Sequence, residues 1–203
     1  MPFVVDSYNT ASTSVQLPYM PSDTTGIERI MLAAQGDLQR LLSTFFARPI
    51  FVEPVYADTS PRLHSASPDY AITQSRRVHL VCAGKVVCVA TSTVTLTSPV
   101  AERLFLDDKF PIGQTIRKLG QSPRFSLLSV ETLTVGTKRE IRRTYTLETE
   151  GFSAEILEVF PDRDMFIRGE AWLLEGQPER DLTCASVTES YLRPEWLSLS
   201  VVH

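Results

Sequence analysis

Cysteine and histidine are scarce in this chain of 203 residues. There are three of each: Cys82, Cys88 and Cys184, and His64, His79 and His203. An odd, sparse cysteine set excludes a disulfide framework. Cys82 and Cys88 flank a predicted hairpin turn and read as small buried strand residues. The scattered histidines show no ligand spacing, so no metal site is expected. Positive charge is not in excess either. Twenty Lys and Arg stand against 24 Asp and Glu, a net charge of −4 without a basic stripe, so nucleic acid is not an expected partner. No run approaches the ~20 apolar residues of a membrane span. The opening MPFVVDSYNTASTS lacks a basic n-region, and its apolar run stops at Val5, short of a secretory signal. A cytoplasmic location is therefore expected. There is no glycine-rich phosphate loop, no G-x-S-x-G and no internal repeat, so no cofactor is expected.

The material present is that of a globular protein. Apolar residues make up 43% and charged residues 22%, enough for one domain with a sizeable core. Residues 1–25 read as a polar, flexible arm, 26–174 as the folded domain, and 175–203 as an extension. Trp196, Leu197, Leu199 and Val201 in that extension suit docking on the core or on a partner. Thr25 and Glu28 have capping-box spacing ahead of a helical stripe from Ile27 to Phe45, which Gly36 divides. Arg48-Pro49 closes that segment. Ile50 to Ala57 reads as a strand, and 58–72, with Pro61 and Pro68, as a loop or flap. Arg76 to Ala83 and Val86 to Leu96, turning at Gly84-Lys85, form the clearest hairpin. Pro99 opens one short helix, and a second ends at Gly120. Phe125 to Val135, Ile141 to Leu147 and Phe152 to Phe160 read as strands, with a turn at Glu150-Gly151 and a further strand over Phe166 to Leu174. Short connections between the late strands require antiparallel pairing. The expected class is α+β: a single antiparallel sheet covered by helices.

Two charged positions lie on strands that otherwise read as half buried. Because strand residues alternate faces, Arg77, His79 and Val81 share one side, and Arg76, Val78, Leu80 and Cys82 the other. Glu158 shares a face with Ala154 and Ile156, where a lone carboxylate needs a partner or a raised pKa. An arginine fork and a carboxylate converging in a closed cavity suit a ligand that bears a carboxylate and exchanges a proton. A structural Arg–Glu ion pair, or two exposed charges that never meet, accounts for the same pattern.

Four segments, in order, resemble the chorismate lyase family. RVHLVCAGKVVCVATSTV resembles its arginine-led hairpin and FPIGQTIRKLG its Pro-Leu-Gly loop. RRTYTLETEGF resembles its double-arginine strand, and AEILEVFP its glutamate strand with a closing Phe-Pro. Together they span roughly 36–162. The resemblance implies a chorismate-lyase-like fold with a buried ligand cavity under flaps that holds a planar hydroxybenzoate. It implies that Arg77 grips the ring carboxylate, that Glu158 is the catalytic glutamate, and that Ile112 supplies a backbone N–H.

There are departures. His79 stands where the lyase has an aliphatic residue; it is either a hydrogen-bonded core histidine or an added acid–base group. The segment from Met165 onward has no counterpart, and 58–72 does not match in detail. The superfamily's ligand-sensing regulators carry a DNA-binding helical domain, for which residues 1–25 are too short. The expected function is a cofactor-free lyase acting on a cyclic carboxylate-bearing small molecule, chorismate being the reference case. Glu158, with a raised pKa, would act as acid or base beside Arg77 and His79. The alternatives are a cyclase, dehydratase or isomerase using the same pocket, and a non-catalytic binding protein for an aromatic acid.

Overall fold

In a computed structural model of the chain, residues 20–36 and 38–175 are described in full, with the backbone of 6–8 and 13–15. Within the expected arm, β1 (Asp6–Tyr8) pairs antiparallel with β2 (Thr13–Val15). Helix α1 (Gly26–Leu32) starts at the expected capping box: the Thr25 side chain accepts from the Glu28 N–H at 3.3 Å, and Glu28 accepts from the Thr25 N–H at 2.7 Å. Gly36, at φ +92°, lies between α1 and α2 (Leu38–Phe46), so the long apolar stripe becomes two helices as expected.

Six strands follow: β3 (Phe51–Thr59), β4 (Ile72–Cys82), β5 (Lys85–Leu96), β6 (Arg124–Val135), β7 (Lys138–Thr149) and β8 (Phe152–Phe160). They form one antiparallel sheet in the order β3-β4-β5-β8-β7-β6. The β4–β5 turn is Ala83-Gly84, both at positive φ, one residue earlier than Gly84-Lys85. Between β5 and β6 run α3 (Pro99–Glu102), a π-helical turn over Arg103–Asp107, and α4 (Ile112–Lys118). The class is thus α+β, with a single six-stranded antiparallel sheet beside the separate two-stranded β1–β2 pair.

The expected strand over Phe166 to Leu174 is not formed. That stretch makes two short helices, α5 (Asp164–Arg168) and α6 (Glu170–Leu174), broken at Gly169 with φ +52°. Met165, Phe166, Trp172 and Leu173 are buried and recur at helical spacing. Residues 176–203, including Cys184, His203 and the apolar residues of the extension, lie outside the described residues. None of the described helices is long and apolar enough to cross a membrane.

Burial alternates along β7 and β8. Ile141, Arg143, Tyr145 and Leu147 point inward from β7, and Phe152, Ala154, Ile156, Glu158 and Phe160 from β8. One apolar cluster joins α1, α2, α5 and α6 to the sheet; a second joins the flap residue Ala66, α3, the π-helical turn and α4 to it. The cavity lies where the two clusters adjoin on the inner face.

Candidate functional site

Register builds the cavity floor. Arg76 pairs with Ser92, Ser92 with Ile156, and Ile156 with Tyr145, giving one row across β4, β5, β8 and β7. Val78, Ala90, Glu158 and Arg143 form the neighbouring row. A cavity of about 140 Å³ lies over these rows. Arg76, Val78, Leu80, Ala90, Ser92, Tyr145, Leu147, Ile156 and Glu158 line it from the sheet, and Val52 from β3. Gly36, Leu38 and Gln39 close one side, and Pro111, Ile112 and Gly113 another. The two sides meet closely: a Cβ on Gly113 would stand 3.3 Å from the Gly36 carbonyl oxygen.

At the floor, Glu158 is only 5% exposed and both its oxygens are engaged. Arg143 Nε donates to Oε2 at 2.6 Å, and the Tyr145 hydroxyl donates to Oε1 at 2.9 Å. Arg143 is fully buried. Its Nη1 donates to the carbonyls of Leu32 and Ala34, each at 2.7 Å, which ties the α1–α2 junction to the sheet. Its Nη2 has no acceptor among the described residues. Burial works against the Arg143 charge, but the Glu158 carboxylate outweighs it and raises the guanidinium's pKa. Burial, reinforced by Glu158, pushes the Tyr145 phenol well above its ordinary value, so it stays a neutral donor. Cys88, fully buried nearby, is pushed well up by burial and stays a thiol.

Arg76 reaches the cavity from the opposite side. Its guanidinium lies 5.6 Å from the centroid of the Phe105 ring, set by the π-helical turn. It makes no ion pair or hydrogen bond among the described residues, and burial lowers its pKa. The flap is fastened beside it. Arg62 Nε donates to Glu102 and Nη1 to Asp107, both at 2.8 Å, and Glu102 also accepts from the Ala66 N–H at 2.8 Å.

Arg77 and Glu158 are not brought together. Arg77 is exposed on the opposite face, donating from Nε to the Thr91 hydroxyl at 3.1 Å and lying 5.6 Å from the Tyr56 ring centroid. The cause is parity: Val78 and Leu80 must face the core, so Arg76 goes inward with them. His79 shares the outward face and does not line the cavity. Ile112 does line it, as the first residue of α4. The partner expected for Glu158 is therefore present as Arg143, not Arg77. Arg143 and Tyr145 share parity with Ile141 and Leu147, so an arginine on an apolar strand face was a readable signal. Among the described residues, no three His, Cys, Asp or Glu side chains cluster in a way that could hold a metal ion.

No protein-family model and no curated protein matches the chain.

Proposed function

We propose that the chain is a cofactor-free lyase of the chorismate-lyase kind, taking a cyclic, carboxylate-bearing small molecule and releasing pyruvate and a hydroxybenzoate. The observation that carries the reading is one apolar-walled cavity shared by Arg76, an arginine without an acid partner, and a buried glutamate, Glu158. Arg76 takes the anchoring part expected of Arg77. Its planar fork suits a carboxylate, and burial strengthens that bond. The Arg76 and Glu158 Cα atoms are two strands and two residues apart, roughly 12 Å by sheet geometry. Side chains of that length then leave room for one ring with substituents at opposite ends. Glu158 already accepts from Arg143 and Tyr145, so what it offers a ligand is a further acceptor site for a ring hydroxyl or a departing proton. Loss of pyruvate aromatises the ring. The protein therefore supplies orientation, a dry site and one proton transfer.

A second reading, binding of an aromatic acid without turnover, is favoured by the cavity's size. The pocket's 140 Å³, partly open to solvent, is close to the ~150 Å³ that accommodates a benzene-sized molecule. It suits a ring acid better than a ring that still carries an enolpyruvyl arm. The cyclase or isomerase reading loses the support of His79, which faces outward. The test is incubation with chorismate and coupled detection of pyruvate, alongside calorimetry with 4-hydroxybenzoate. Pyruvate release that Arg76→Ala abolishes supports the lyase. Binding of 4-hydroxybenzoate without pyruvate supports the second reading, and the absence of both pyruvate release and binding overturns both readings.

A further inference from the structure

Ser92 is 5% exposed, lines the cavity, and its hydroxyl has no hydrogen-bond partner among the described residues. It lies directly across the β4–β5 pair from Arg76, on the same inward face, and Arg76 also lacks an acid partner. The Ser92 hydroxyl and the part-buried Arg76 guanidinium are neighbours on the cavity wall, and each keeps a hydrogen-bonding capacity that no described residue fills. A guanidinium only donates, and a hydroxyl readily donates. The complementary partner for both is an acceptor carrying negative charge. A carboxylate fits the count: two lone pairs take the arginine fork, and a third takes the serine O–H. The walls beyond are apolar, formed by Val78, Leu80, Leu147 and Ile156, which suits a ring attached to that carboxylate and not a free hydrated anion.

We propose that Ser92 is the second anchor of the ligand's carboxylate, so that Arg76 and Ser92 together make a two-residue site for a monocyclic carboxylic acid. The inference rests on the carboxylate-binding part of the proposed function and does not depend on turnover. Ser92 touches no catalytic group in this arrangement; it fixes which end of the ring faces Arg76 and which faces Glu158.

The test is calorimetric titration of the full chain with 4-hydroxybenzoate, its neutral carboxamide, and inorganic phosphate, for wild type and Ser92→Ala. The variant should bind 4-hydroxybenzoate about tenfold more weakly, the scale of one hydrogen bond to a charged group, and the carboxamide with a smaller loss. Phosphate should bind neither protein measurably. The melting temperature of the unliganded variant should not fall, because the hydroxyl has no protein partner to lose. Equal affinity of wild type and variant for the acid overturns this inference alone. So does a variant whose unliganded form melts several degrees lower with unchanged affinity, since Ser92 is then structural. Phosphate binding that the serine governs equally would make this a general anion site and overturn the ring-acid assignment. A wild-type chain that binds no acid overturns the proposed function and this inference with it.

Discussion

At the scale of single residues, Glu158 is committed before any ligand arrives. Arg143 and Tyr145 each donate to one of its oxygens, and the three are buried together. Replacing one partner of such a pair leaves the other charge uncompensated, typically at ~3–5 kcal/mol. Glu158→Gln should therefore lower stability by about that amount, read from denaturant midpoints. If Glu158 also moves the proton, turnover per folded molecule should fall ~10²–10⁴-fold; near-normal turnover per folded molecule refutes that role. Arg76 makes a different prediction. Arg76→Lys keeps the charge and loses the fork, so affinity for 4-hydroxybenzoate should drop about tenfold, while Arg77→Lys should leave it unchanged. Equal effects of the two changes would place the anchor elsewhere. The choice between these neighbours was legible in the chain. Val78, Leu80 and Cys82 form a more apolar set than His79 and Val81 flanked by Ser75, and parity sends Arg76 with the first set. What parity does not reveal is distance across strands, so the Arg143 partnership depends on a pairing fifteen residues away in sequence.

At the scale of elements, α1 is held from outside its own length. Arg163, just past β8, donates from Nε to Glu28 Oε1 at 2.6 Å and from Nη2 to Oε2 at 2.9 Å; its Nη1 reaches Asp23 at 2.6 Å. Burial alone would push the Glu28 carboxyl up, but the bonds from Arg163 and Thr25 outweigh it and hold the pKa below the ordinary range. The Arg163 hydrogen bond lowers Asp23 in the same direction. A carboxyl depressed in the folded state stabilises above its unfolded pKa, about 4.3 for Glu. That contribution is lost as pH falls through the folded value. Stability should thus be level through neutral pH and fall on acidification below about 4.3. Glu28→Gln should be less stable at pH 7 and show a shallower acid loss in pH-dependent denaturation; an unchanged acid slope would show that other carboxylates govern it. The capping box and the Gly36 break were legible because they are local patterns. The Phe166 to Leu174 segment departs from the expected strand because its apolar density and aromatics suit either a strand or a buried helix at that length. Gly169 and the recurrence of Met165, Phe166, Trp172 and Leu173 decide for helix.

At the scale of the molecule, the antiparallel class follows from short late connections, but the placement of β5 beside β8 does not. That pairing joins residues roughly sixty positions apart, and no local signal encodes it. Yet it sets Ser92 opposite Ile156 and Ala90 opposite Glu158, and so creates the cavity. Its walls come from the sheet, the α1–α2 junction pinned by Arg143, and the first turn of α4, so a bound acid should be lost when any one of them opens. Ligand that binds only the folded chain stabilises it by RT ln(1 + [L]/Kd), about 2.7 kcal/mol at a hundredfold excess over Kd. For a domain of this size, each kcal/mol raises the melting temperature by about 2–4 °C. 4-Hydroxybenzoate at that excess should therefore raise the melting temperature by about 5–11 °C. Arg77→Ala should show the same rise, because its side chain lies on the other face of the sheet. Arg76→Ala, at the same ligand concentration, should show a much smaller rise, and its unliganded melting temperature should fall only by the lost contact with the Phe105 ring, since Arg76 has no protein anion to lose. A ligand shift that survives Arg76→Ala would separate binding from this cavity and send the search to another face of the molecule.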